Sequence, residues 1–420
     1  SLHVTGVQTC ALPIYNISEE SFFEPLRKVI TSMKLRGSWG LVGNDQIGGE
    51  RFIYMPTINL SGKGFTTGID QNYGLSGPVY TRYENNSITW EVGEKINLGI
   101  DLQLLNSLNI VVDIFRETRR DIFQKKGTIP TYLGTGNTDV FGNLAEMKNQ
   151  GLDLSIDYNK AFSKDFYMNF KGTFTYAHNE ITKYDEAPKY AFQSKVGQSA
   201  NVSQGYLSNG LFLDEAEIDR YNQQMGSTLG AGDIKYLNVS NMHGYGDDIV
   251  DVDDWTWIGN PTVPEIVYGF GPSFKYKNWD FSFFFQGVAK TSLFMSGFHP
   301  FGDNSLRNVL QFVANDRWSP TNQNVDAKYP RLTRKTSLNN TNPGNSGRTS
   351  DYWMRDGSFL KLKNMELGYT FKRMRFYISG SNLLTFSKFD LWDPEQGGGS
   401  GLKYPTQRVF NVGFQMTFNN

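Results

Sequence analysis

Over the last strand-length of the chain, apolar and polar side chains alternate without a break. Phe410, Val412, Phe414, Met416 and Phe418 stand between Asn411, Gly413, Gln415 and Thr417. A period of two describes an extended strand with one apolar and one wet face. The pattern recurs upstream. Met33, Leu35, Gly37, Trp39 and Leu41 oppose Lys34, Arg36 and Ser38, and Ile96, Leu98, Ile100, Leu102 and Leu104 oppose Asn97, Gly99, Asp101 and Gln103. Leu108, Ile110, Val112 and Ile114 continue it, and Leu152, Leu154, Ile156 and Tyr158 then oppose Asp153, Ser155, Asp157 and Asn159. Phe166, Met168, Phe170, Gly172, Phe174 and Tyr176 alternate with Asn169, Lys171, Thr173 and Thr175. EIVYGFGPSFKY and WDFSFFFQGVAK come next, then SFLKLKNMELGYTF and RFYISGSNLLTF. The phase slips between Leu362 and Met365, which predicts a bulge. About ten strands result.

The connections alternate as well. Asn106-Ser107, Phe162–Asp165, Lys277-Asn278 and Lys372-Arg373 read as tight turns. The stretches near Gly43–Ser87, Lys125–Leu144, Asn179–Val263 and Thr291–Asp356, with the Gly-rich SKFDLWDPEQGGGSGLKYP, run from about twenty to over eighty residues. Long structureless loops are uncommon in compact soluble domains. A transmembrane β-barrel uses them: tight turns lie on the periplasmic side and long loops outside, and the last strand here ends on the short-turn side. Lys171 would cost about 2–4 kcal/mol facing lipid at mid-membrane and little facing a wet lumen. The longest insertion carries one predicted helix, LFLDEAEIDRYNQQM, bounded by Gly210 and Gly226, and SEESFFEPLRKVI predicts a short helical turn before the first strand. The fold class is all-β: part of a transmembrane antiparallel β-barrel with long extracellular loops. A diffusion porin, an adhesin-displaying barrel and a soluble secreted carbohydrate-binding β-sandwich share most of these features and stay open at this point.

Composition narrows the choice less than the pattern does. Forty-one Lys and Arg against 42 Asp and Glu leave no charge excess for a polyanion, which argues against nucleic-acid binding. Mean hydropathy is −0.45, and no run of about 18 apolar residues exists to form a membrane helix. A barrel escapes that test because its strands alternate. Aromatic residues reach 15%, which suits a barrel as well as a secreted sandwich. The single cysteine, Cys10, rules out an internal disulfide framework. It lies in SLHVTGVQTCALPI, which has neither the aromatic richness nor the alternation of the remaining chain, so residues 1–14 read as foreign sequence and 15–420 as the barrel.

Six segments carry a resemblance: KLRGSWGLVGND, TWEVGEKINLGIDLQL, MKNQGLDLSIDY, SDYWMRDGSFLKLKNMELGYTF, SGSNLLTFSKFDLWDPE and YPTQRVFNVGFQMTF. In this order they resemble the C-terminal barrel of TonB-linked outer-membrane receptors, of the SusC/RagA-like type found in Bacteroidetes. The resemblance implies a 22-stranded barrel around an N-terminal plug, capped by a SusD-like surface lipoprotein. It further implies import of oligosaccharides or oligopeptides, oligosaccharide being the expectation here, energised by TonB acting on a segment ahead of the plug. The plug, that segment and the first strands are then absent from these 420 residues. About ten strands leave two open edges, which a bilayer does not tolerate, so import would belong to the longer receptor. Phe410, Phe414 and Phe418 resemble the C-terminal signal that barrel-assembly machinery reads, although Asn419-Asn420 come after the last aromatic.

Little else suggests chemistry. GYGDDIVDVDDWTWIGNP gathers Asp247, Asp248, Asp251, Asp253 and Asp254, oxygen ligands of the kind Ca²⁺ takes. The D-x-[DN]-x-[DN]-G order and a closing Glu are lacking, so a solvated turn-rich loop is the expectation and no metal or cofactor is assigned. His3, His178, His243 and His299 have no metal spacing, and neither H-E-x-x-H nor G-x-S-x-G occurs, which argues against an enzyme. Trp255, Trp257, Trp353 and Trp392 in the loops are candidates for stacking on sugar rings or docking the partner, against packing inside the loops as the commoner fate.

Overall fold

The computed structural model describes residues 9–45, 51–130, 139–221, 223–224, 229–296, 309–332 and 349–418. Ten long strands carry the architecture: β1 (Ile30–Asn44), β2 (Glu91–Leu104), β3 (Leu108–Lys125), β4 (Phe141–Ala161), β5 (Phe166–Lys183), β6 (Ile266–Tyr276), β7 (Trp279–Ala289), β8 (Phe359–Phe371), β9 (Met374–Ser387) and β10 (Val409–Met416). Each pairs antiparallel with the next in chain order, a single meander. Two three-residue strands, Thr9–Ala11 and Ile14–Asn16, add to the free edge of β1, so the segment set apart by its sequence pairs with the sheet. Among the described residues β10 pairs only with β9, and the sheet forms an arc.

The register turns the period of two into continuous rows. Leu35, Ile100, Val112, Leu154, Phe174, Tyr268, Gly287, Leu360 and Phe386 are directly opposed across nine strands. One residue along lies the wet row, Lys34, Asp101, Val111, Ser155, Thr173, Gly269, Gln286, Lys361 and Thr385. A slip of one residue in any strand would exchange the two faces, which is why register is fixed where one side meets lipid. At about 3.4 Å per residue and the usual barrel tilt, the apolar run from Phe166 to Tyr176 rises about 26 Å, the height of a lipid-facing band. Its lower end is ringed by aromatic contacts between Phe166 and Tyr276, Trp279 and Tyr369, and Phe376 and Phe414. Charges on the wet face are matched to each other. Arg36 bonds Asp101 at 2.9 Å and Asp113 at 3.0 Å, and Arg375 bonds Asp280 at 3.0 Å and Glu366 at 2.6 Å. No helix among the described residues is long and apolar enough to cross a membrane, which says nothing about strands.

Connections keep the expected alternation. Leu105 and Asn106 (φ 50° and 52°) turn β2 into β3 with the left-handed backbone that matches strand twist, and Lys277 and Lys372 do so at two further turns. The phase slip in β8 is a register shift between Leu362 and Asn364 against β9. Two expectations are corrected. The stretch read as a Gly/Asn/Thr-rich loop holds a hairpin, Thr57–Thr67 with Tyr73–Arg82, whose three register shifts destroy any clean alternation. The predicted helix contracts to α1 (Glu215–Arg220), capped by Asp214, which accepts from the Glu217 N–H at 2.7 Å. Its apolar beginning is taken elsewhere: Leu211 and Phe212 are fully buried, and Leu211 pairs with Ile234.

The hydrophobic core sits in the loops and not in the sheet. Tyr206, Leu211, Ile234, Tyr236, Val250, Met295, Val313, Trp318 and Trp353 pack into one cluster drawn from three connections, 184–265, 290–358 and 388–408. A fully buried Asp233, held by Arg331, joins two of its segments. An amphipathic sheet facing lipid outside and water inside has no protein interior of its own, so the loops supply one. They form a lid domain above the arc.

Candidate functional site

The lid meets the wet face of the sheet at the upper ends of β7 and β8. Lys361 and Lys363 alternate along β8 on the wet side, and the strap formed by residues 388–408 crosses them. Lys361 is completely shielded from solvent, yet its ammonium lies 2.7 and 2.5 Å from the two Asp393 oxygens and 2.8 Å from Glu395 Oε2. Lys363 donates to both Glu395 oxygens at 2.6 and 2.8 Å. Asp393 is also the N-cap of the short turn Pro394–Gln396, accepting the Glu395 N–H at 3.1 Å. Burial pushes the carboxyl pKa of Asp393 and Glu395 up, but hydrogen bonding outweighs it, from Lys361 and the Glu395 N–H at Asp393 and from Lys361 and Lys363 at Glu395, and holds both below the usual carboxylate range. A buried cation is tolerable only when paired in this way.

One hollow lies at this junction and another elsewhere on the lid. The first, of about 510 Å³, lies between the strap and the wall, with Gln286, Val288 and Phe359 from the sheet, Leu293 and Phe294 from the lid, and Pro394 from the strap. The other, of about 610 Å³, is an open cleft at the lid's edge lined by Tyr184, Gln193, Lys195, Gln204 and Trp255. Lys195 there sits 4.4 Å above the Tyr184 ring.

The four loop tryptophans divide. Trp353 is at the centre of the lid core, edge-on to Tyr352. Trp392 packs edge-on against Phe389 and donates to the Gly397 carbonyl at 3.0 Å, and Trp257 donates to the Ser194 carbonyl at 2.8 Å. Trp255 is the most exposed of them and lines the open cleft. The acidic run forms a turn. Oxygens of Asp247, Asp251 and Asp253 lie within 4.8 Å of one another, but Asp253 pairs with Lys189 and Asp247 accepts from Asn238, Ser240 and the Ile249 N–H. Asp248 accepts from Asn241, and Asp254 turns inward to accept from the Ser240 and Asp251 N–H groups, its pKa raised by burial. Phe410, Phe414 and Phe418 are all exposed on the apolar side of the last strand. Sequence reasoning missed the lysine–carboxylate junction. Its signal was present in K-L-K within an otherwise regular strand and in the D-P-E just after Trp392.

An antiparallel meander with one apolar band, one wet face, tight turns below and a packed lid above defines the wall of a membrane β-barrel. No protein-family model matches the chain. It is similar to TonB-dependent receptor P3 of Formosa agariphila, 25% identical over 441 residues that cover 96% of this chain and 41% of that protein. TonB-dependent receptor SusC of Bacteroides thetaiotaomicron is 26% identical, covering 96% of this chain and 39% of its own length. Among solved structures, the RagAB peptide transporter superposes with a TM-score of 0.68 at 21% identity over 98% of this chain and 43% of that one. The chain thus spans about two fifths of these relatives. Its barrel wall is similar to that of SusC/RagA-like TonB-dependent receptors, and the fold is that of an outer-membrane β-barrel.

Proposed function

We propose that residues 15–420 are the C-terminal part of a longer TonB-dependent importer, and that this importer brings a bulky nutrient across the outer membrane together with a SusD-like surface lipoprotein. The cargo is an oligosaccharide in this reading, with an oligopeptide as the alternative. TonB engages a region outside these residues, and the lid provides the outward surface on which the lipoprotein rests. One observation supports this above the others: the loops build a packed lid with ligand-sized hollows over the wet face of the sheet, whereas a diffusion pore needs only an open lumen. Trp255 in the open cleft is the side chain best placed to stack on a sugar ring.

Gene deletion in the source bacterium, complemented by the full-length receptor, tests the proposal. Growth on one class of glycan as sole carbon source should be lost on deletion, and the lipoprotein should co-purify with a tagged receptor. Unchanged growth on every glycan, with loss on peptides alone, transfers the cargo to peptides. Growth unaffected on both, with no lipoprotein bound, removes the importer reading.

A further inference from the structure

The hollow beneath the strap has a wall that is held by charge. Residues 388–408 cross from β9 to β10 with Gly397, Gly399 and Gly401 at φ 72°, 123° and 69°, a backbone that side-chain-bearing residues rarely adopt. The strap is also tied to the lid by Phe389, buried in the lid core, by the Lys388–Asp356 ion pair at 3.8 Å, by the Gly399 N–H on the Phe294 carbonyl at 2.8 Å and by the Ser296 N–H on the Gly399 carbonyl at 2.9 Å. Lys403 donates to the Gln396 carbonyl and Trp392 to the Gly397 carbonyl, and from the wall Asn382 of β9 donates to the Gln407 carbonyl at 3.1 Å. Among the described residues, the contacts of Lys361 and Lys363 with Asp393 and Glu395 are the ion pairs between this glycine-rich segment and the barrel wall.

The chemistry of the hollow is uncharged. Among the described residues, Glu395 is the one ionisable side chain lining it, and both its oxygens are committed to Lys361 and Lys363. Val288, Leu293, Phe294, Phe359 and Pro394 make its walls largely apolar. Gln286, on the wet face of β7, contributes an amide that bonds to no described residue. An apolar wall with one unengaged amide suits a group that has a carbon face and a hydrogen-bonding edge, as a neutral sugar ring has.

We propose that this hollow is a subsite for a neutral sugar unit of the cargo, and that the Lys361 tie keeps its strap wall closed over it. The inference rests on the importer reading above and adds a location, a charge requirement and a latch. Three variants of the full-length receptor with its lipoprotein separate these parts. Lys361→Met should raise deuterium uptake in peptides from 388–408 at least tenfold in rate while strand peptides stay protected; unchanged strap exchange overturns the latch. Val288→Trp, which fills the hollow, and Gln286→Ala should each weaken calorimetric binding of a neutral oligosaccharide mixture, by tenfold or more for the tryptophan. Wild-type binding in Val288→Trp overturns the subsite. Wild-type receptor that binds a uronate-bearing oligosaccharide mixture in preference to the neutral one overturns the charge requirement. A wild-type receptor that imports neither glycans nor peptides refutes the importer reading itself, a result distinct from each of these.

Discussion

Tyr268 lies flat across Gly287 on the neighbouring strand: a Cβ on that glycine would stand 2.4 Å from the Tyr268 ring and 2.6 Å from the Phe359 carbonyl oxygen. The two residues are directly opposed in the apolar row, and Leu360 completes the contact from β8. The small residue makes room for the large one at the point where three strands meet. Gly287→Val in the full-length receptor should therefore reduce folded barrel in the outer membrane severalfold, read as heat-modifiable mobility on gels. Gly74, whose Cβ would meet nothing within 4 Å, should tolerate alanine.

The lid should be separable from the cargo surface by mutation. Trp353→Ala removes a side chain from the lid core and should cost about 3–5 kcal/mol of lid stability, seen as early protease cleavage in 184–265. Trp255→Ala should leave protease resistance unchanged and weaken cargo binding about tenfold, about 1.4 kcal/mol. Equal binding by Trp255→Ala and wild type would leave that cleft without a role in uptake.

Acid should loosen the strap only at its extreme. Asp393 and Glu395 titrate below their ordinary range in the folded protein because Lys361 favours the charged form of both and Lys363 that of Glu395. Stabilisation of this sign is fully present above the unfolded value of about 4 and is lost as pH falls through the lower folded value. Strap exchange, corrected for intrinsic rates, should stay level between about pH 8 and 5 and rise below that.

Phe418 stands exposed two residues from the last position of this sequence, in phase with Phe410 and Phe414. If the assembly machinery reads that aromatic, Phe418→Ala should lower outer-membrane levels of the full-length receptor without altering the specific binding of the protein that does insert. Unchanged levels would remove the assembly role from this residue.

The sheet was legible in the sequence because lipid outside and water inside impose a period of two on every strand, and rows such as Leu35–Ile100–Val112–Leu154 preserve it. Strand ends were not legible. β3 and β4 run to 18 and 21 residues, past any membrane, because their upper halves pair above the bilayer, where neither face need be apolar. The Thr57–Thr67 hairpin was hidden for the same reason, with bulges scrambling its phase. Lid residues such as Leu211 and Phe212 read as helix because a buried irregular segment has no period to betray it. The lysine junction escaped because Lys361 looked like any lumen-facing lysine; what distinguishes it is a strap about thirty residues later in the chain.

Every role assigned to the lid depends on which side of the membrane each set of connections occupies. Epitope tags inserted between Ile69 and Asp70, at the fully exposed tip of the upper hairpin, and between Lys277 and Asn278, at the tight turn between β6 and β7, decide this in intact cells carrying the full-length receptor. Antibody should bind the tag at Asp70 directly and reach the tag at Asn278 only after the outer membrane is permeabilised. Labelling of Asn278 in intact cells would reverse the orientation, and with it the placement of the lid and its hollows on the outward face.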